Sequence, residues 1–171
     1  MSIVTSAQSS KFLFTYDFQA PKALVFNAFA SADALNEWWG PVECKNTALF
    51  LDFRPGGIFH FKMEMDGHVS YGRFLFATIQ PYDLLEFSNA FADEHANPVK
   101  APFDIQLPVD IFYSLRFHEK NGITTITMSG TAVNATAGEL EGFNSINEDM
   151  KKGFGSTFNS LAFYLEKIKS L

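Results

Sequence analysis

Residues 136–171 read TAGELEGFNSINEDMKKGFGSTFNSLAFYLEKIKSL, with Phe143, Ile146, Met150, Phe154, Thr157, Phe158, Leu161, Leu165 and Ile168 set at steps of three and four. That period is one face of an α-helix, and the spacing predicts a single long helix. Thr136 and Glu139 have the spacing of a capping box, in which each side chain satisfies a backbone donor left free at the helix start. An unbroken helix of about 30 residues would run roughly 45 Å, so a broad partner surface has to lie against it. Gly153 and Gly155 interrupt the stripe, each at about 1 kcal/mol relative to Ala. They mark either a kink with close backbone packing or missing side chains that leave room for a guest beside Met150 and Phe154. Phe163 falls off the stripe, as a surface aromatic or part of a dimer contact.

Working outward, the rest of the chain alternates. Phe12, Phe14, Tyr16 and Phe18 follow the period of two expected of a half-buried strand. Pro21 then opens a short helix and Ser31 caps a second, which Trp38-Trp39-Gly40-Pro41 stops. Residues 44–53 read as a strand ended by Arg54-Pro55-Gly56-Gly57. Asp66-Gly67 predicts a two-residue hairpin turn in which Phe59 faces Phe74, Phe61 faces Gly72 and Met63 faces Ser70 on the apolar side. His60 and Arg73 then pair on the other side, with Met65 and His68 at the rim. Leu85, Phe87 and Phe91 line one side of the next strand, while residues 92–108, punctuated by Pro98, Pro102 and Pro108, read as a long loop. Asn121-Gly122 predicts a second hairpin pairing Phe117 with Ile126 and Leu115 with Met128. Six to seven antiparallel strands with one wet face need cover on the other, and only the terminal helix is long enough to give it.

Composition narrows the functional classes. The 171 residues suit one domain, with residues 1–10 read as a flexible tail and 11–171 as the folded unit. Twenty phenylalanines imply a thick core or an aromatic-lined cavity. A net charge of -6 disfavours nucleic acid and anionic membrane surfaces, both of which attract basic proteins. Cys44 is the one cysteine, which fits a reducing compartment. With no signal-like amino terminus and no apolar run of about 20 residues, the expectation is a soluble, cytoplasmic protein, monomer or homodimer.

The chain resembles the START-like, helix-grip superfamily, which includes the birch-pollen-allergen fold, and within it the family of the activator of the heat-shock-protein-ninety ATPase. The carriers are Ala20-Pro21 with Val25 and Ala28, Leu35 through Pro41, Asp52 through Gly57, Gly72, Pro81 with Leu84, Leu85 and Phe87, and Gly153-Phe154 before Leu161. Phe154 stands where many members have Trp, and the insert around Ala101-Pro102-Phe103 belongs only to some branches. The resemblance implies an α+β fold with a curved sheet gripping a carboxy-terminal helix and a deep cavity between them. Relatives of this fold carry lipids, sterols, polyketides or hormones, and some are cyclases; the fold itself names no function.

The chemistry is sparse. His60, His68, His95 and His118 lie at no metal-ligand spacing, and no nucleophile elbow, phosphate loop or paired carboxylates stand out. No cofactor, metal or catalytic constellation is therefore expected. Tyr113, alternating with Ile111 and Leu115, should carry a hydroxyl into apolar surroundings, as a core tyrosine bonded to backbone or as an anchor for a ligand's polar end. Ser70 and Asn89 are its candidate companions. The expected site is an apolar cavity lined by Phe59, Phe61, Met63, Phe74, Phe76, Phe87, Tyr113, Met128, Met150 and Phe154, with Trp38, Trp39 and His68 at its rim. A small apolar or aromatic ligand is the expected partner; the alternatives are a chaperone, or a cyclase-like or hydrolase-like reaction with Tyr113 or His68 as acid or base.

Overall fold

The computed structural model describes residues 11–169, so the tail expected at 1–10 lies outside the described residues. Strand β1 (Lys11–Phe18) leads into two short helices, α1 (Lys22–Asn27) and α2 (Ala32–Trp38). Ser31 caps α2 by accepting a hydrogen bond from the Ala34 backbone N–H, 3.3 Å away. Gly40 then takes φ 95°, a left-handed turn suited to glycine.

Strands β2 (Lys45–Leu51), β3 (Ile58–Met65), β4 (His68–Gln80), β5 (Leu84–Ala92), β7 (Ile111–Lys120) and β8 (Ile123–Ala132) follow, all antiparallel. With β1 they form one sheet in the order β1-β8-β7-β5-β4-β3-β2. An eighth strand, β6 (Pro98–Val99), pairs with the end of β5 inside the stretch expected to be a plain loop. Both hairpins keep the expected register, including Phe59↔Phe74, Phe61↔Gly72 and Met63↔Ser70 in the first and Leu115↔Met128 and Phe117↔Ile126 in the second. The reason is local: Asp66-Gly67 and Asn121-Gly122 all adopt positive φ, the conformation whose twist matches the flanking strands.

The expectation of one long helix is corrected. Helix α3 (Ala137–Ser145) ends at Ile146, whose φ of -101° and ψ of 11° break the spiral, and α4 (Asn147–Lys169) begins anew. The apolar period runs straight through the break, which is why it does not show in the pattern. Two contacts account for it. The Ser145 hydroxyl donates back to the Gly142 carbonyl at 2.7 Å, and the backbone of Gln106 packs directly on Gly142. The capping box at Thr136 and Glu139 is present with both hydrogen bonds, at 3.1 and 3.0 Å. Glu148 and Asp149 in the first turn of α4, and Lys167 and Lys169 in its last, match the helix dipole. Gly153 and Gly155 do not interrupt α4.

Helix α4 lies on the concave face of the sheet. Phe158, Leu161 and Leu165 are buried there against Phe12, Phe18, Leu115, Ile126 and Met128, with Phe26, Phe29, Leu35 and Trp38 closing one end. On the convex face, Arg73 reaches over Ala90 to Asp110 at 3.1 Å, and His60 beside it meets the Asp93 carbonyl oxygen at 3.0 Å. His60 therefore sits on the outer side as expected, yet is buried by the Asp93 turn.

Candidate functional site

Past the packed end of α4 the helix and the sheet part. The gap is a cavity of ≈ 340 Å³. Its floor is made by β3, β4, β5 and β7, which present Phe61, Met63, Gly72, Asn89, Phe91, Ile111 and Tyr113. Its roof is the first half of α4 with the break before it: Ile146, Met150, Gly153, Phe154 and Thr157. One wall is Trp39-Gly40-Pro41, and the other is the loop following β6, through Ala101, Phe103, Leu107, Pro108 and Val109.

Three glycines shape this space. Gly72 stands across the ladder from Phe61, and a Cβ there would come within 2.5 Å of the Phe61 ring. Gly130 stands across from Tyr113, and its Cβ would meet that ring at 2.7 Å. Each aromatic thus lies down over a bare stretch of backbone instead of standing up toward the helix, which lowers the floor. On the roof, a Cβ on Gly153 would meet nothing within 4 Å. Of the two readings of that glycine, room rather than a kink is what the geometry displays.

Six of the thirteen expected site residues line the cavity: Trp39, Phe61, Met63, Tyr113, Met150 and Phe154. The other seven are placed elsewhere. Phe74 and Phe87 stack with ring centroids 4.0 Å apart, and Phe59 and Phe76 pack around them, so these four fill the sheet beyond the hollow. Met128 is in the core below α4, and Trp38 is buried, donating its indole N–H to the Ala28 carbonyl at 2.9 Å. His68 begins β4 at an exposed hairpin, on the side of the sheet that Gly72 occupies, and is not among the residues lining the space. Alternation says which side of the sheet a ring occupies; it does not say whether the helix reaches down to it. Phe103 and Leu107 were missed because their loop has no period. Apolar residues among prolines were the only signal.

Tyr113 is the most buried polar group of the site, 3% exposed, and its hydroxyl has no hydrogen-bond partner among the described residues. Burial pushes its phenol well above the usual range, so it keeps its proton. That makes it a neutral donor and acceptor, and a poor acid. Among the described residues, no group of three or more His, Cys, Asp or Glu side chains is placed to hold a metal ion.

A family model for the Activator of Hsp90 ATPase homolog 1-like protein matches residues 19–166. The chain belongs to this family. Solved structures agree with the AHSA1-like fold. An Arthrobacter aurescens protein is 25% identical with a TM-score of 0.77, over 94% of this chain and 88% of that one. The Mycobacterium smegmatis protein Ms6760 is 24% identical with a TM-score of 0.76, over 95% and 94%. Ara h 8.0201, at 14% identity and a TM-score of 0.65 over 92% and 97%, shares the same helix-grip architecture. No curated protein matches the sequence. Among the described residues of this AHSA1-like chain, no helix is long and apolar enough to cross a membrane.

Proposed function

We propose that this AHSA1-like protein is a cytoplasmic carrier or sensor of a small apolar or aromatic molecule, held between the sheet and α4. The observation that supports it most directly is the cavity itself. Side chains in protein interiors normally pack to crystal-like density, and a hollow of ≈ 340 Å³ forfeits contacts that the chain could have made by placing a larger residue at Gly153. Space of this size, lined by rings and methionines, is the ordinary form of a small-molecule site.

Trp39 lies in the cavity wall, so occupancy should change its fluorescence. Titration with flavonoids, sterols and long-chain alcohols, followed by tryptophan emission and calorimetry, tests the reading. A saturable shift with at least one compound is expected, and no response from any of them, with nothing co-purifying by mass spectrometry, overturns it.

The family's description favours a second reading, stimulation of a chaperone ATPase. An ATPase assay with and without the protein separates the two, and an unchanged rate removes the chaperone reading while leaving the cavity reading intact.

A further inference from the structure

Resting on the binding reading above, we propose that the ligand is an uncharged molecule whose single polar end is met by Tyr113 and Thr157, and that the cavity rejects anions such as carboxylates. The residues lining it include no Asp, Glu, Lys, Arg or His. An ionised group carried inside would lose its water and find no opposite charge, the most unfavourable form of polar burial.

Neutral polar groups are nevertheless present, and they line the same space. Tyr113 belongs to β7 and Thr157 to α4; they are 3% and 4% exposed, and neither hydroxyl has a hydrogen-bond partner among the described residues. The Phe154 ring sits edge-on over Tyr113 at 5.4 Å, and Thr157 follows three residues later, on the same side of the helix. Asn89 is the diagonal neighbour of Tyr113 across the β5–β7 ladder, where Phe87 pairs with Tyr113 and Asn89 with Ile111, and it adds an amide to the same wall. Both hydroxyls belong to residues lining an otherwise apolar space and have no protein partner among the described residues, so they are left to bond a polar group that arrives with the ligand. Each can donate and accept, which fits an alcohol, phenol or ketone. At ≈ 340 Å³ the space lies at the small end of ligand pockets, suited to a compact molecule of two or three rings.

The test uses matched sets on two scaffolds: naphthalene, 2-naphthylmethanol and 2-naphthoate, and biphenyl with its 4-methanol and 4-carboxylate, titrated at pH 7.5 by calorimetry and Trp39 emission. The alcohols are expected to bind, with the carboxylates on the order of 100-fold weaker. Tyr113→Phe and Thr157→Val should each weaken the alcohols by about 3- to 10-fold and leave the parent hydrocarbons unchanged. Carboxylates binding as well as alcohols would overturn the proposal, as would variants that weaken alcohol and hydrocarbon alike. Hydrocarbons binding as tightly as alcohols would sink the polar anchor and leave the binding reading standing. Silence from all six compounds would end both.

Discussion

Phe158 and Gly153 stand five residues apart on α4, yet their surroundings are opposite. Phe158 is ringed by Phe14, Tyr16, Phe18, Trp38 and Phe154, all with centroids within 6.3 Å. Gly153 faces open space, above a floor in which Gly72 and Gly130 let the rings of Phe61 and Tyr113 lie flat. Both halves are rich in aromatics, so composition does not separate them. What differs is whether the position across the gap carries a side chain. The helix is held by its closed half, which leaves the other half free to stand off the sheet.

The largest test removes the hold. Phe158→Ala should destabilise the protein by about 3–5 kcal/mol, the range for deleting a buried aromatic, and thermal or urea unfolding reads it. Phe154→Ala, at a half-buried wall position already beside the hollow, should cost clearly less. Equal losses at the two sites would mean that the halves are packed alike.

The loop that walls the hollow half comes next. A Cβ on Gly142 would fall 1.8 Å from the Gln106 carbonyl oxygen, so α3 receives the loop backbone at a position that only glycine leaves clear, while Gly138 lies under the end of the flexible Gln106 side chain. Gly142→Ala should cost about 1–3 kcal/mol through the forced backbone shift and make residues 101–109 more open to protease. Unchanged proteolysis would show that the loop is held from somewhere else.

These two tests also divide what could be read from the chain from what could not. Turn chemistry and alternation are local, so Asp66-Gly67 and Asn121-Gly122 set both registers, and the inward sides of β3, β4, β5 and β7 were legible residue by residue. Distance across a layer is not local. Phe74 and Phe87 alternate as regularly as Phe61 and Tyr113 do, but the first pair stacks on itself and the second lies beneath the void. The docking of Gln106 on Gly142 joins segments far apart in the chain, and the break at Ile146 follows four residues later. The apolar period continues across them and conceals both.

A smaller effect with the opposite sign sharpens the contrast. Gly153→Ala adds a methyl group to a helix interior where nothing lies within 4 Å, so it should stabilise the protein by about 1 kcal/mol through helix propensity and leave ligand affinity nearly intact. Gly153→Leu extends further into the same space. It should retain the stability and lose the ligand. If the leucine variant binds as well as the parent, the occupied space is not the one under α4.

The smallest expected effect concerns Tyr113. A core tyrosine bonded to backbone would lose a hydrogen bond on conversion to Phe and leave its former partner unsatisfied, at about 1–3 kcal/mol. Here the hydroxyl has no partner among the described residues, and the ring is held by Phe87 at 5.8 Å, by Phe154 at 5.4 Å and by the bare backbone of Gly130. Tyr113→Phe removes a buried oxygen and keeps the packing, so the ligand-free midpoint should move by less than about 0.5 kcal/mol, in either direction. A clear loss of stability in the empty protein would make the hydroxyl part of the scaffold and place Tyr113 with the closed half. A flat response, joined to a change in what the cavity binds, assigns the oxygen to the hollow half, where its partner is the ligand.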